Sequence, residues 1–128
     1  MKKIVVLALV LMAFVTGCSQ SNNETLEGLF PEVEIKMPDE IKVGNPVTIQ
    51  AIVTAGGKPV DDAEEVSLEI GMVDGANGTQ EKTTITSSGN GVYELENTFE
   101  KPGAYYVIAH TTALSMHTMP KKEFQVTE

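Results

Sequence analysis

The stretch Val47-Thr48-Ile49-Gln50-Ala51-Ile52-Val53 decides the fold class. Val47, Ile49, Ala51 and Val53 recur at every second position, the period of an extended chain that turns one face to a core. The same period runs outward in both directions. Val33 and Ile35 start it. Val66, Leu68, Ile70 and Met72 alternate with Ser67, Glu69 and Gly71. Tyr93, Leu95, Asn97 and Phe99 share a face opposite Glu94, Glu96 and Thr98, and Tyr105, Val107 and Ala109 form another. Phe124 and Val126 close the chain in the same style. No stretch sustains the 3.6-residue period of an amphipathic helix, although Leu26 to Phe30 has the pattern of a single turn.

Turn chemistry punctuates these runs at Gly44-Asn45-Pro46, Gly56-Gly57-Lys58-Pro59, Asp74-Gly75-Ala76-Asn77-Gly78, Ser88-Gly89-Asn90-Gly91 and Lys101-Pro102-Gly103. About seven short strands separated by such turns predict an all-β, immunoglobulin-like antiparallel β-sandwich, with an open barrel as the alternative. Gly103 at a corner with Tyr105 two residues on resembles the tyrosine corner of such sandwiches, in which the phenol hydroxyl bonds back to the turn.

Composition narrows the function. The 128 residues hold nine lysines, no arginine and eighteen acids, for a net charge of −9. Without a basic face or arginine for bidentate phosphate contacts, nucleic acid is excluded as a partner. One Cys, no Trp and two His remove a disulfide framework and most catalytic constellations. The expectation is a binding module and not an enzyme.

Residues 1–17 read as an address. Lys2 and Lys3 precede an unbroken apolar run from Ile4 to Val15, too short to span a bilayer of about 30 Å but suited to a secretory signal. Val15-Thr16-Gly17-Cys18 resembles a bacterial lipoprotein signal, with Val where Leu is commoner. The resemblance implies that the Cys18 sulfur takes a diacylglycerol thioether and that cleavage leaves Cys18 as the first residue. Losing Lys2 and Lys3 takes the side-chain charge from −9 to −11. Residues 18–30 are then the lipidated Cys and a polar tether, and residues 31–128 the sandwich domain. The expected location is exported, lipid-anchored to the outer face of the cytoplasmic membrane or to a periplasmic membrane surface. Two or more acyl chains give stable anchoring.

One segment concentrates metal-ligand chemistry. His110, Met116, His117 and Met119 lie within ten residues that close on Pro120, and both histidines of the protein are here. Parity turns His110 away from Val107 and Ala109. The segment from Ala113 to Thr118 reads as a loop that folds Met116 or His117 back over it. Thioether sulfur with imidazole suits Cu(I), whereas two His do not make a closed structural zinc site. The competing reading is metal-free. There the methionines pack as apolar contacts, against the core or against a cell-envelope protein partner, and His110 is a hydrogen-bonded strand residue.

Gly103-Ala104-Tyr105-Tyr106-Val107-Ile108-Ala109-His110, followed by Met116-His117-Thr118-Met119-Pro120, resembles the YtkA-like domain of small exported bacterial lipoproteins. Val66 to Ile70, Gly89 to Tyr93 and Phe124-Gln125-Val126 share the likeness. It implies an immunoglobulin-like sandwich and a relation to modules near respiratory-oxidase and copper-handling systems. It also implies copper donors at His110, His117 and Met119, with Met116 as a neighbour. Between Asp74 and Lys82, where some relatives add a His, this chain has Asp74, Gln80 and Glu81.

Other motifs carry less. Asp61-Asp62-Ala63-Glu64-Glu65 lacks the alternating ligands and central Gly of a calcium loop and reads as a solvated connection. Asn77-Gly78-Thr79 matches a glycosylation sequon without weight in a bacterial lipoprotein. No nucleophile elbow or phosphate-binding glycine loop is present.

Overall fold

The computed structural model describes residues 30–75 and 80–128. The signal, Cys18, the tether, the single turn expected from Leu26 and the Asn77-Gly78-Thr79 sequon lie outside the described residues.

Eleven strand segments follow one another: β1 (Pro31–Lys36), β2 (Ile41–Lys42), β3 (Pro46–Ala55), β4 (Lys58–Pro59), β5 (Glu65–Met72), β6 (Glu81–Thr84), β7 (Ser87–Gly89), β8 (Val92–Thr98), β9 (Gly103–Ala113), β10 (Met116–Thr118) and β11 (Lys121–Thr127). They form two sheets. The first runs β1-β3-β8-β7, with β4 paired to β3; the second runs β2-β11-β9-β5-β6, with β10 paired to β9. All pairings are antiparallel except β11 with β2. This is a sandwich, not an open barrel. The segment count exceeds seven because β2, β4, β6, β7 and β10 are two to four residues long. Such lengths cannot display a repeating apolar period.

The decisive stretch lies in β3 and behaves as its parity requires. Val47, Ile49, Ala51 and Val53 are buried between the sheets, where they meet Leu68 and Val66 of β5 and Val107 and Ala109 of β9 in one core. Full burial of an aliphatic side chain of this size contributes about 1.5–3 kcal/mol. The tyrosine corner is present: the Tyr105 hydroxyl donates to the Lys101 carbonyl at 2.9 Å, and the ring stacks on Phe124 with centroids 5.9 Å apart.

The connection from β4 to β5 takes the chain from the first sheet to the second at one end of the sandwich. The Tyr93 hydroxyl pins it by donating to the Val60 carbonyl (3.0 Å) and accepting from the Ala63 N–H (3.2 Å). The acidic run here is the solvated connection that its sequence predicts, and two of its acids also take hydrogen bonds. Asp61 accepts from Ser87 Oγ and from the Gly91 N–H, and Glu64 accepts from the Ser115 N–H at 3.2 Å. Exposed carboxylates near a chain crossing gain more from backbone donors than a sequence window can reveal. The start of β1, where Pro31 pairs with Ala55, and the turn between β9 and β10 therefore lie at the same end. The C-terminal end of β11, where Val126 pairs with Gly103, lies at the other.

Candidate metal site

β9 is the central strand of the second sheet and carries the site on its outer side. Val107, Ala109 and Thr111 are buried inward; Tyr106 is itself 8% exposed, while Ile108, His110 and Thr112 are half-buried. The segment after Ala113 was expected to be a loop. Instead it is a hairpin, with Met116, His117 and Thr118 paired to Ala113, Thr112 and Thr111. Leu114 (φ 52°) and Ser115 (φ 61°) form its two-residue turn in the left-handed region, the geometry whose twist matches flanking strands. Neither residue is Gly or Asn, so the usual turn signal is missing from the sequence.

The register of β10 against β9 continues unchanged into β11, where Lys121 faces Ile108. It puts Met119 across from His110 and Pro120 across from Ala109. The Ala109 N–H still donates to the Pro120 carbonyl, at 3.0 Å, while Pro120 has no N–H to return. By pleat parity His110, Thr112, His117 and Met119 share the outer face. Met116 does not join them. It sits opposite inward-facing Ala113, so the structure separates it from the other three donors.

The imidazoles of His110 and His117 have centroids 6.1 Å apart and planes tilted by 38°. One nitrogen of each ring is engaged by protein. His110 Nε2 lies 2.7 Å from Glu69 Oε2, and His117 Nδ1 lies 2.9 Å from the Thr112 hydroxyl. The other nitrogens, Nδ1 of His110 and Nε2 of His117, make no hydrogen bond among the described residues. Met119 is 56% exposed beside them.

A polar chain extends from Glu69 along the sheet. Its Oε1 accepts from the Tyr106 hydroxyl (3.3 Å), and that hydroxyl accepts from Gln80 Nε2 (2.8 Å). The Tyr106 ring lies over Gly71 on β5, where a Cβ would come within 2.6 Å of the phenol oxygen. Lys121 Nζ sits 4.9 Å from the ring centroid. Sequence reasoning missed Glu69, Thr112, Tyr106 and Gln80 as members of this cluster. The one available signal was the run Ser67, Glu69, Gly71, whose two small residues fit a covered outer face better than a solvated one. Ser67 is in fact fully buried, bonded to Glu65 and Thr84.

The donor set tests what the site can hold. Among the described residues, no group of three or more His, Cys, Asp or Glu side chains is gathered for a metal ion. The set is instead two imidazoles and a thioether, which fits Cu(I) and does not fit a hard cation.

Residues 31–110 match the YtkA-like family. The chain belongs to that family. Residues 1–19 match the prokaryotic membrane lipoprotein lipid attachment site, so this YtkA-like protein is an exported, membrane-anchored lipoprotein. The YtkA-like match ends at His110, so His117, Met119 and Met116 lie beyond it. A search of curated proteins finds no match.

Solved structures share the sandwich at low identity. An engineered protein aligns with a TM-score of 0.59 at 20% identity, covering 77% of this chain and 20% of its own. This chain therefore spans about a fifth of that protein. The CARDB domain of the PF1109 protein from Pyrococcus furiosus, solved in complex with di-metal ions, aligns at 0.52 and 22% identity, covering 80% and 97%. The PmoD soluble domain from Methylocystis sp. ATCC 49242 (Rockwell) aligns at 0.51 and 13% identity, covering 75% and 90%. At these identities the likeness is one of fold.

Proposed function

We propose that this YtkA-like lipoprotein is a non-enzymatic copper-binding module that holds Cu(I) weakly on the outer face of its second sheet, through His110, His117 and Met119. The observation that carries the reading is the approach of the two rings on one face. Metal–nitrogen bonds of about 2.0 Å on opposite sides of one ion would set imidazole centroids about 6.3 Å apart. The observed 6.1 Å is close to that separation. Met119, on the same face, offers a third, soft donor. Solvent borders the cluster, so an ion held there can be handed on without unfolding anything.

Placement supports a partner at the membrane. The chain enters the sandwich at the end that carries the β9–β10 turn, and the steps from Cys18 to Phe30 reach at most about 40 Å when fully extended. The β9–β10 end is therefore tethered within that reach of the lipid surface.

Titrating the purified metal-free lipoprotein with Cu(I) against a competing chelator tests the reading. His110→Ala combined with His117→Ala is expected to abolish competition; unchanged competition removes copper binding from this face. The second reading, a metal-free interaction module, draws on Leu114, 46% exposed at the hairpin tip, and on Met119, 56% exposed farther down the same hairpin. It gains ground if the double variant loses nothing.

A further inference from the structure

We propose that Glu69 is the positioning residue of this site, fixing His110 so that it binds through Nδ1 while His117 binds through Nε2. The inference rests on the reading of both histidines as ligands and goes beyond it, because it assigns the ligating atoms and a residue that touches no metal.

The argument starts from what a carboxylate can do. A carboxylate has only acceptor oxygens, so in the neutral ring the 2.7 Å contact places the proton on His110 Nε2 and the lone pair on Nδ1. The carboxylate is itself held. Its second oxygen accepts from Tyr106, Tyr106 is held by Gln80, and bare Gly71 makes room for the Tyr106 ring. The Glu69 and His110 side chains are only 19% and 15% exposed, so water competes weakly for the bond. A ligating histidine whose second ring nitrogen donates to a carboxylate is fixed in tautomer and ring angle and becomes more basic. Glu69 lies on β5, on one side of His110, whereas Met119 and His117 lie on the strand at the other side. The pinned nitrogen therefore faces away from the other donors.

His117 is oriented the opposite way. Its Nδ1 meets the Thr112 hydroxyl, which donates or accepts as needed, so Nε2 is the atom left to bind. The two rings thus offer different nitrogens, and only that of His110 is set by a charge.

The protein has two histidines, so nitrogen-15 spectra of the full lipidated chain in detergent, labelled at histidine, report each ring separately. In metal-free protein His110 is expected as the tautomer with its proton on Nε2, and Cu(I) is expected to shift His110 Nδ1 and His117 Nε2. Glu69→Ala should mix the His110 tautomers and weaken Cu(I) binding by about 10–100-fold in chelator competition. Glu69→Gln keeps an acceptor oxygen and should restore the tautomer and most of the affinity. A Cu(I) shift at His110 Nε2, or full affinity in Glu69→Ala, overturns the assignment. If the double histidine variant still competes fully, the metal reading itself has failed, which separates the two outcomes.

Discussion

The two sheets turn very different outer faces to their surroundings. On the first, Glu34 and Lys36 of β1 form an ion pair at 3.8 Å with side chains 67% and 55% exposed, and Gln50 of β3 reaches across to Glu94 of β8. These groups stay hydrated, and pairs of this kind contribute little. On the second, Glu69, His110, Tyr106 and Gln80 form a chain of hydrogen bonds in which the first three are largely out of water and Gln80 is exposed, with Ser67 fully buried nearby. The same strand alternation generates both faces. What differs is the residue size beneath: Gly71 leaves room for the Tyr106 ring over β5, and its hydroxyl reaches the Glu69 carboxylate.

The comparison can be broken at its base. Gly71→Ala puts a Cβ into the Tyr106 phenol and should cost about 1–3 kcal/mol in chemical denaturation, as overpacking does. Loss of the Tyr106 contribution to circular dichroism should accompany it. An unchanged denaturation midpoint would mean that the ring is not held as described.

A smaller effect is expected at Tyr105, on the inward side of β9. Burial first, and the Asp74 carboxylate second, push its hydroxyl above the ordinary value near 10. The neutral phenol is therefore favoured in the folded state. Stability is full below about pH 10 and falls as pH rises through the shifted value, because the unfolded chain ionises first. Tyr105→Phe should lose about 1 kcal/mol at neutral pH with the bond to Lys101. It should also flatten the alkaline decline, which thermal melts between pH 8 and 11 would register.

The hairpin gives a gain of similar size. Non-glycine residues in the left-handed region cost about 1 kcal/mol or more each. Leu114→Asn with Ser115→Gly should therefore raise the melting temperature by several degrees while leaving Cu(I) competition unaltered. Smallest of all, Glu94→Ala on the other sheet should fall within about 0.5 kcal/mol of the parent protein. A cost matching that of Gly71→Ala would erase the contrast between the two faces.

The inward face was legible residue by residue, since Val47 to Val53, Val66 to Ile70 and Tyr105 to Ala109 carry an unbroken apolar period. The tyrosine corner was legible from Gly103 and Tyr105 alone. The outward cluster was legible only in its chain-local half. His110, His117 and Met119 announce themselves by type and spacing. Glu69 is 41 residues from His110, resembles any of eighteen acids, and gains its meaning only when β5 lies beside β9. The hairpin was misjudged because Leu114 and Ser115 adopt a turn that local chemistry disfavours and that cross-strand pairing imposes. Met116 was grouped with the donors by proximity along the chain, which in an extended strand is a poor guide: neighbours one position apart point to opposite sides.

That last point gives the Leu114–Ser115 turn an unusual leverage. It counts residues. Were the strand that follows it to slip by a single residue against β9, Met116 and Thr118 would trade sides with His117 and Met119. Such a slip would dismantle the cluster while every strand remained a strand.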